Sequence, residues 1–265
     1  KKIADVLREQ HHFEVYPPIL DPLRSTLHTL LHETMPRTIG SEDRVVFYFA
    51  GHGIASDGDD GPAGYLAPAD ADPADLNTFI PMTEIREALN SLSCRHLLII
   101  LDCCFSGAFK WASGTRAIGS LMPKKIYKER FDRFIHDPAW QVITSAAYDQ
   151  KAMDLIVQDR PTGDRGLVST GSGENHSPFA LALFQALAGE ADTRTSRESD
   201  GLITASELYS FVRDRVEPAT IELGQQKRQT PGFFPLSKHD KGEFIFLHPK
   251  HRLNLSPRPS RSPYK

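Results

Sequence analysis

Two runs in the chain, Val45-Val46-Phe47-Tyr48-Phe49 and Leu97-Leu98-Ile99-Ile100-Leu101, are apolar at every position. An unbroken run of that length suits a strand buried on both faces, as the central strands of a helix-covered sheet are. Around the two runs the apolar positions fall at helical spacing. Ile3, Val6 and Leu7 share one face, Leu27, Leu30 and Leu31 another, and Ile85, Ala88, Leu89 and Leu92 a third, with Thr83 as the cap of that helix. Phe13-Glu14-Val15-Tyr16 reads as a short strand ended by Pro17 and Pro18. Downstream, Gln141-Val142-Ile143-Thr144 resumes a strand. Ser177 then caps a helix with Pro178 in its first turn and Phe179, Leu183, Ala186 and Leu187 on one face. Thr204 and Glu207 form a capping box ahead of Leu208, Phe211 and Val212, and Phe244-Ile245-Phe246-Leu247 is the last strand. Strands alternating with helices in this order predict an α/β fold with a mainly parallel sheet and helices on both faces.

Between these elements, residues 56–73 are rich in Asp, Gly and Pro and read as a surface loop. Residues 109–137 turn basic and irregular, with Lys124, Lys125, Lys128, Arg130 and Arg133, and residues 159–175 form an exposed loop open to cleavage. Residues 251–265 carry Ser, Arg and three prolines without an apolar period, which is the composition of a linker.

Composition narrows the function classes. The 265 residues hold 31 Lys plus Arg against 34 Asp plus Glu, a net charge of −3, with 40 % hydrophobic residues. No long-range field draws in a polyanion, so nucleic acid is not the expected partner. No apolar run approaches the roughly 18 residues of a membrane span, so no membrane partner is expected either. Three cysteines, Cys94, Cys103 and Cys104, make no disulfide framework and fit a reducing compartment, the cytoplasm by default. The sequons at Asn175 and Asn254 carry little weight without a secretory signal.

Chemistry concentrates where the two buried strands end. One runs into Ala50-Gly51-His52-Gly53, the other into Asp102-Cys103-Cys104-Phe105-Ser106-Gly107. In an open parallel sheet the carboxyl ends of the strands share one edge, where ligand sites collect. His52 alone is explained by a backbone hydrogen bond, and Cys104 alone by packing as a small hydrophobe. Both together, on two strand ends and beside glycines, point to a thiol–imidazole pair. The glycines flanking His52 allow a sharp turn and close backbone approach, and Gly53 offers an unobstructed N–H. A free thiol titrates near 8.5, so His52 must take its proton or stabilise the thiolate.

Cys104 follows His52 by 52 residues. The caspase signature likewise places its histidine about 50 residues before its cysteine. The blocks Tyr48-Phe49-Ala50-Gly51-His52-Gly53 and Asp102-Cys103-Cys104-Phe105-Ser106-Gly107 resemble the metacaspase branch of the caspase-like cysteine proteases, prokaryotic members above all. The likeness runs through residues 141–150 to Gln229-Thr230-Pro231, nearly all of the chain before its tail.

The resemblance implies a caspase-like three-layer sandwich with a mainly parallel sheet of about six strands. Residues 1–250 would be the protease domain, about 1–137 large-subunit-like and 138–250 small-subunit-like, with the first strand lying before Lys1. Residues 251–265 would link it to a further, regulatory module of the same chain. Cys104 would be the nucleophile and His52 the base, with the N–H groups of Gly53 and Cys104 holding the oxyanion. Cys103 would point into the core, and Cys94 and Cys103 would be structural. Asp102 would bind Arg or Lys of a polypeptide substrate before the cut, the other reading being that it caps the next helix or turn. Arg116, Lys124, Lys125, Arg160 and Arg165 are candidate self-cleavage sites. Two departures bear on specificity: Ala50 stands where many relatives have a serine, and the second carboxylate they draw from after the first strand would lie, with that strand, before Lys1.

Metal readings fare worse. Asp57, Asp59 and Asp60 could offer calcium oxygens, and Ser199-Asp200-Gly201-Leu202-Ile203 with Glu207 faintly matches an EF-hand loop. Setting Gly201 at the sixth position, however, puts Ser196 and Glu198 at ligand positions they suit poorly, while the capping box already explains Glu207. Adjacent cysteines lack the spacing of a zinc site. No cofactor is therefore expected, with calcium kept as a question for assay. The expected function is a cysteine endopeptidase cutting after Arg or Lys. The rivals are a silent caspase-like scaffold or regulatory interaction domain, and a small-molecule thiol hydrolase or acyltransferase.

Overall fold

The structure, a computed structural model, describes residues 2–56, 63–111, 128–147, 176–192, 199–221 and 229–253. Helix α1 (Lys2–His11) is followed by an extended stretch and then by α2 (Arg24–Thr29). A π-helical turn (Leu30–Thr34) continues α2 into α3 (Met35–Thr38). Strand β1 (Arg44–Ala50) leads into a side sheet of β2 (Gly53–Ser56), β3 (Ala63–Leu66) and β4 (Ile80–Pro81). Next come α4 (Met82–Asn90), β5 (His96–Asp102), α5 (Ala108–Trp111), α6 (Lys128–His136) and β6 (Ala139–Thr144). The chain closes with α7 (Pro178–Gln185), β7 (Leu202–Thr204), α8 (Ala205–Ile221), β8 (Gly232–Pro235) and β9 (Ile245–Leu247).

The main sheet has the order β1-β5-β6-β8. β1, β5 and β6 run parallel and β8 antiparallel. Alternation along the strands separates two apolar layers. Leu98 and Ile100 of β5 and Ile143 of β6 pack with α1, α7 and α8, while Leu97, Ile99 and Leu101 pack with Trp140, Val142 and the helices α2 to α5. The α/β sandwich with helices on both faces is therefore as expected. Its main sheet holds four strands among the described residues, not about six.

The differences have local causes. Residues 13–16 form no strand: Phe13 turns its ring onto Phe244 and Phe246, so its side chain is packed although its backbone is not in a ladder. Residues 245–247 do form a strand, but against β7 in a separate two-stranded ladder. β5 is buried along its whole length, whereas β1, at the end of the sheet, is half-buried. An apolar run thus marks packing on both faces without saying how many neighbours its backbone has. Residues 63–66, inside the expected loop, pair with β2. Residues 128–136, inside the irregular basic stretch, are helical and seat Phe134 in a small apolar cluster. Helix α4 starts one residue ahead of Thr83, after Pro81 at φ −59°, and takes no side-chain cap. The loop at residues 159–175, the sequon asparagines Asn175 and Asn254, Asp57, Asp59, Asp60, Ser196, Glu198, the five candidate cleavage residues and most of the tail lie outside the described residues.

Two expected caps are in place. Ser177 Oγ accepts the Ala180 N–H at 3.0 Å. Thr204 Oγ1 accepts the Glu207 N–H at 3.1 Å while Glu207 Oε2 accepts the Thr204 N–H at 3.0 Å, so the carboxylate considered for an EF-hand is engaged as a cap. Beside it, buried Asp192 accepts the N–H groups of Asp200 and Gly201, both at 3.1 Å, and the Ser199 hydroxyl. Burial pushes the Asp200 carboxyl up to about 7, reinforced by the charges of Asp192 and Glu207 and by a hydrogen bond with Asp192, against the Leu202 N–H that favours the anion.

A carboxyl raised in the folded state favours folding at low pH, and that contribution fades as pH climbs from its unfolded value of 3.8 toward 7. Asp200→Asn, which keeps an oxygen for the Leu202 N–H, removes this loss. Thermal melting from about pH 4 to pH 8 should show wild type and variant alike at the acid end, with the variant the more stable at the basic end. Parallel curves would contradict the assignment.

Candidate functional site

The register of β1 and β5 holds to their last residues, pairing Ala50 with Asp102, and the ladder continues as Gly51 N–H donates to Asp102 O at 3.2 Å. The segments carrying His52 and Cys104 therefore leave adjacent parallel strands at the same sheet edge. His52 is exposed and Cys104 half-buried. Ala67 N–H donates to His52 O at 3.0 Å, which makes the next pair, Gly53 and Leu66, a non-hydrogen-bonded pair of the antiparallel ladder. The Gly53 N–H is thereby turned away from β3.

Gly53 is glycine because of closeness. A Cβ there would lie 2.4 Å from the Cys104 carbonyl oxygen and 3.5 Å from Cys103 Sγ. The sharp turn expected of the flanking glycines is not their role, since the positive-φ glycines among the described residues are Gly189 and Gly201. The strained residue at this edge is Phe105, directly after Cys104, at φ 55°; His12 and Asp21 are the other non-glycine residues with positive φ among those described. A left-handed conformation costs a non-glycine residue about 1–2 kcal/mol, and nothing in the residue type Phe announced it.

Buried serines hold that turn. Ser145 Oγ accepts the Cys103 N–H and donates to the Cys103 carbonyl, both at 3.1 Å. Ser106 Oγ accepts the Ala146 N–H at 3.2 Å, and Gly107 N–H donates to Ala146 O at 2.9 Å. Gln229 Nε2 in turn donates to the Ser145 carbonyl at 2.7 Å. The end of β5 is thus stitched to the end of β6, its other parallel neighbour. Cys103 is fully buried in the layer of α2 to α5, and Cys94 is buried too, its thiol pushed up to about 11 chiefly by that burial.

Asp102 faces the opposite layer, because its register partner Ala50, and Tyr48 two residues earlier, share its side of the sheet. It is only 8 % exposed. The Ser177 hydroxyl donates to its Oδ2 at 2.7 Å, and the Tyr48 phenol hydrogen-bonds to it. Burial, then the charge of Asp102 and this bond, push the Tyr48 hydroxyl well above its ordinary value, so it remains a donor. Ser177 is also the cap of α7, which sets the carboxylate beside the positive end of that helix. Tyr48 and Ser177 were not among the expected site residues. A tyrosine inside an apolar strand signals that its hydroxyl needs a partner, but which partner depends on segments far apart in the chain.

Among the described residues no helix is long and apolar enough to cross a membrane. The chain is similar in structure to protein GSU0716 from Geobacter sulfurreducens, with a TM-score of 0.51 and 14 % identity, covering 89 % of this chain and 81 % of that one. At that identity the likeness speaks for the fold. Comparison with curated proteins gives no match. The family model for the caspase domain, Peptidase_C14, matches residues 1–240, and on that match the chain belongs to the caspase-domain family of cysteine peptidases.

Proposed function

We propose that the protein is a cysteine endopeptidase in which Cys104 and His52 act as a dyad and Asp102 selects Arg or Lys before the scissile bond. The observation that carries the reading is the in-register pairing of β1 with β5, which sets Gly53 against the Cys104 carbonyl. His52 accepts the thiol proton as sulfur adds to the peptide carbonyl carbon. The oxyanion is met by the N–H groups of Gly53 and Cys104. The carbon–nitrogen bond breaks as the imidazole returns the proton to the leaving amine, leaving a thioester. Water, deprotonated by the same imidazole, cleaves the thioester and restores the thiol. Asp102 suits a guanidinium or ammonium because its carboxylate stands at the end of β5 and is held in place by the Tyr48 and Ser177 hydroxyls. The division near residue 137, self-cleavage in the basic loops, a linker running into a regulatory module and residence in the cytoplasm belong to the same proposal.

Fluorogenic peptides ending in Arg, Lys or Asp, with and without calcium, test it. Turnover should follow Arg and Lys and vanish in Cys104→Ala. Cys104 should also alkylate faster than Cys94 or Cys103, with a midpoint below that of a free thiol. Failure to turn over any peptide, with Cys104 alkylating no faster than an ordinary thiol, would leave the scaffold reading standing.

Asp102→Asn removes the charge and keeps an acceptor. It should lower kcat/KM for Arg and Lys peptides about 10- to 100-fold, the worth of a charged hydrogen bond, with kcat affected less than KM. Gly53→Ala forces a methyl group into the Cys104 carbonyl. Displacement on the scale of 1 Å costs about 100-fold in rate, so kcat should fall by roughly that factor and the melting temperature should drop. An unchanged kcat would remove Gly53 and its neighbour from the reacting centre.

A further inference from the structure

Away from Cys104, a side-chain cluster joins α2 and its π-helical continuation to the first turn of α4. His28 and His32 stand four residues apart, so they share a helix face. Their ring centroids are 4.5 Å apart. Glu84 reaches them from α4, with Oε1 3.7 Å from His32 Nε2. One ligand atom from each of the three residues lies within 4.8 Å of the others.

We propose that His28, His32 and Glu84 form a binding site for a zinc-class divalent cation. Two imidazoles and one carboxylate suit Zn²⁺, Ni²⁺ or Cu²⁺, whereas Ca²⁺ and Mg²⁺ prefer all-oxygen shells. Tetrahedral zinc at its usual bond lengths spaces its ligands roughly 3.4 Å apart, a distance the two exposed histidines reach by small side-chain rotations. The backbone beneath them is already set. Leu27 and Leu31, each one residue before a histidine, are buried with Ile85, which follows Glu84, in one apolar cluster. A π-helical turn inside an otherwise α-helical stretch is itself a feature often found at functional sites. Arg24 Nη2 lies 3.6 Å from the second Glu84 oxygen, Oε2, and so orients the carboxylate from outside while Oε1 faces the imidazoles. With both histidines exposed, water completes the shell.

A second cluster, Asp192, His248 and His251, lies equally close but is committed to the fold. His248 Nδ1 accepts the N–H groups of Lys250 and His251, both at 3.0 Å, and its ring also bonds to the Gly189 carbonyl. The Asp192 oxygens hold Ser199, Asp200 and Gly201.

Zinc titration by calorimetry, in a Cys104→Ala background so that the exposed-edge thiol takes no metal, tests the proposal. One zinc should bind per chain, weakened at least about tenfold in His32→Ala and in Glu84→Gln, unchanged in His251→Ala and undisturbed by millimolar calcium. Far-UV circular dichroism confirms that each variant is folded, as is expected for substitutions at three exposed histidines and one half-buried glutamate. No zinc binding, equal binding by the double variant His28→Ala/His32→Ala, or loss in His251→Ala would each overturn the site, whatever the outcome of the peptidase assays.

Discussion

The parallel ladder between β1 and β5, kept in register to its last pair, governs the geometry of the whole sheet edge. In a parallel sheet both strands deliver their ends to one edge, and the residues just beyond are neighbours whatever their separation along the chain. The ladder does more than bring His52 and Cys104 to one edge. Gly53 meets the Cys104 carbonyl so closely that a single methyl group has no room. The two segments therefore pack as backbone against backbone, and their spacing does not depend on flexible side chains.

Around this edge the protein spends polar groups on rigidity. Cys104 sits between a buried cysteine and a left-handed phenylalanine, a turn that would relax without restraint. The restraints come from Ser145, Ser106 and, one step further out, Gln229, all fully buried and all bonded to backbone groups. An unsatisfied buried backbone group costs about 1–3 kcal/mol, so each serine hydroxyl is well matched to the turn it closes. On the opposite face, Tyr48 and Ser177 do the same for the Asp102 carboxylate. A buried anion needs donors, and these come from a neighbouring strand and a helix cap.

Much of this is legible in the amino-acid sequence. The apolar runs identify β1 and β5, the caps at Ser177 and Thr204 are where local chemistry puts them, and the two runs end at one sheet edge, beside His52 and Cys104. Local patterns fail where a neighbour decides the outcome. Phe13 and Val15 look like strand residues, yet the ring of Phe13 is satisfied by packing on Phe244 and Phe246. Residues 63–66 look like loop, yet β2 supplies them a partner. Apolar content reports burial, whereas strand identity depends on a hydrogen-bonding partner elsewhere in the chain.

The order of residues is enough to specify the elements with strong periodicity, the two strand ends that bear a thiol and an imidazole, and the family those blocks resemble. It takes the folded chain to give Tyr48 and Ser177 to Asp102, to clamp the turn with Ser145 and Ser106, and to bring Glu84 to His28 and His32. Each of these contacts joins residues that no local pattern relates. Hydrophobic period and capping act over a few residues, but a hydrogen bond across the sheet edge exists only once packing has fixed both partners in place.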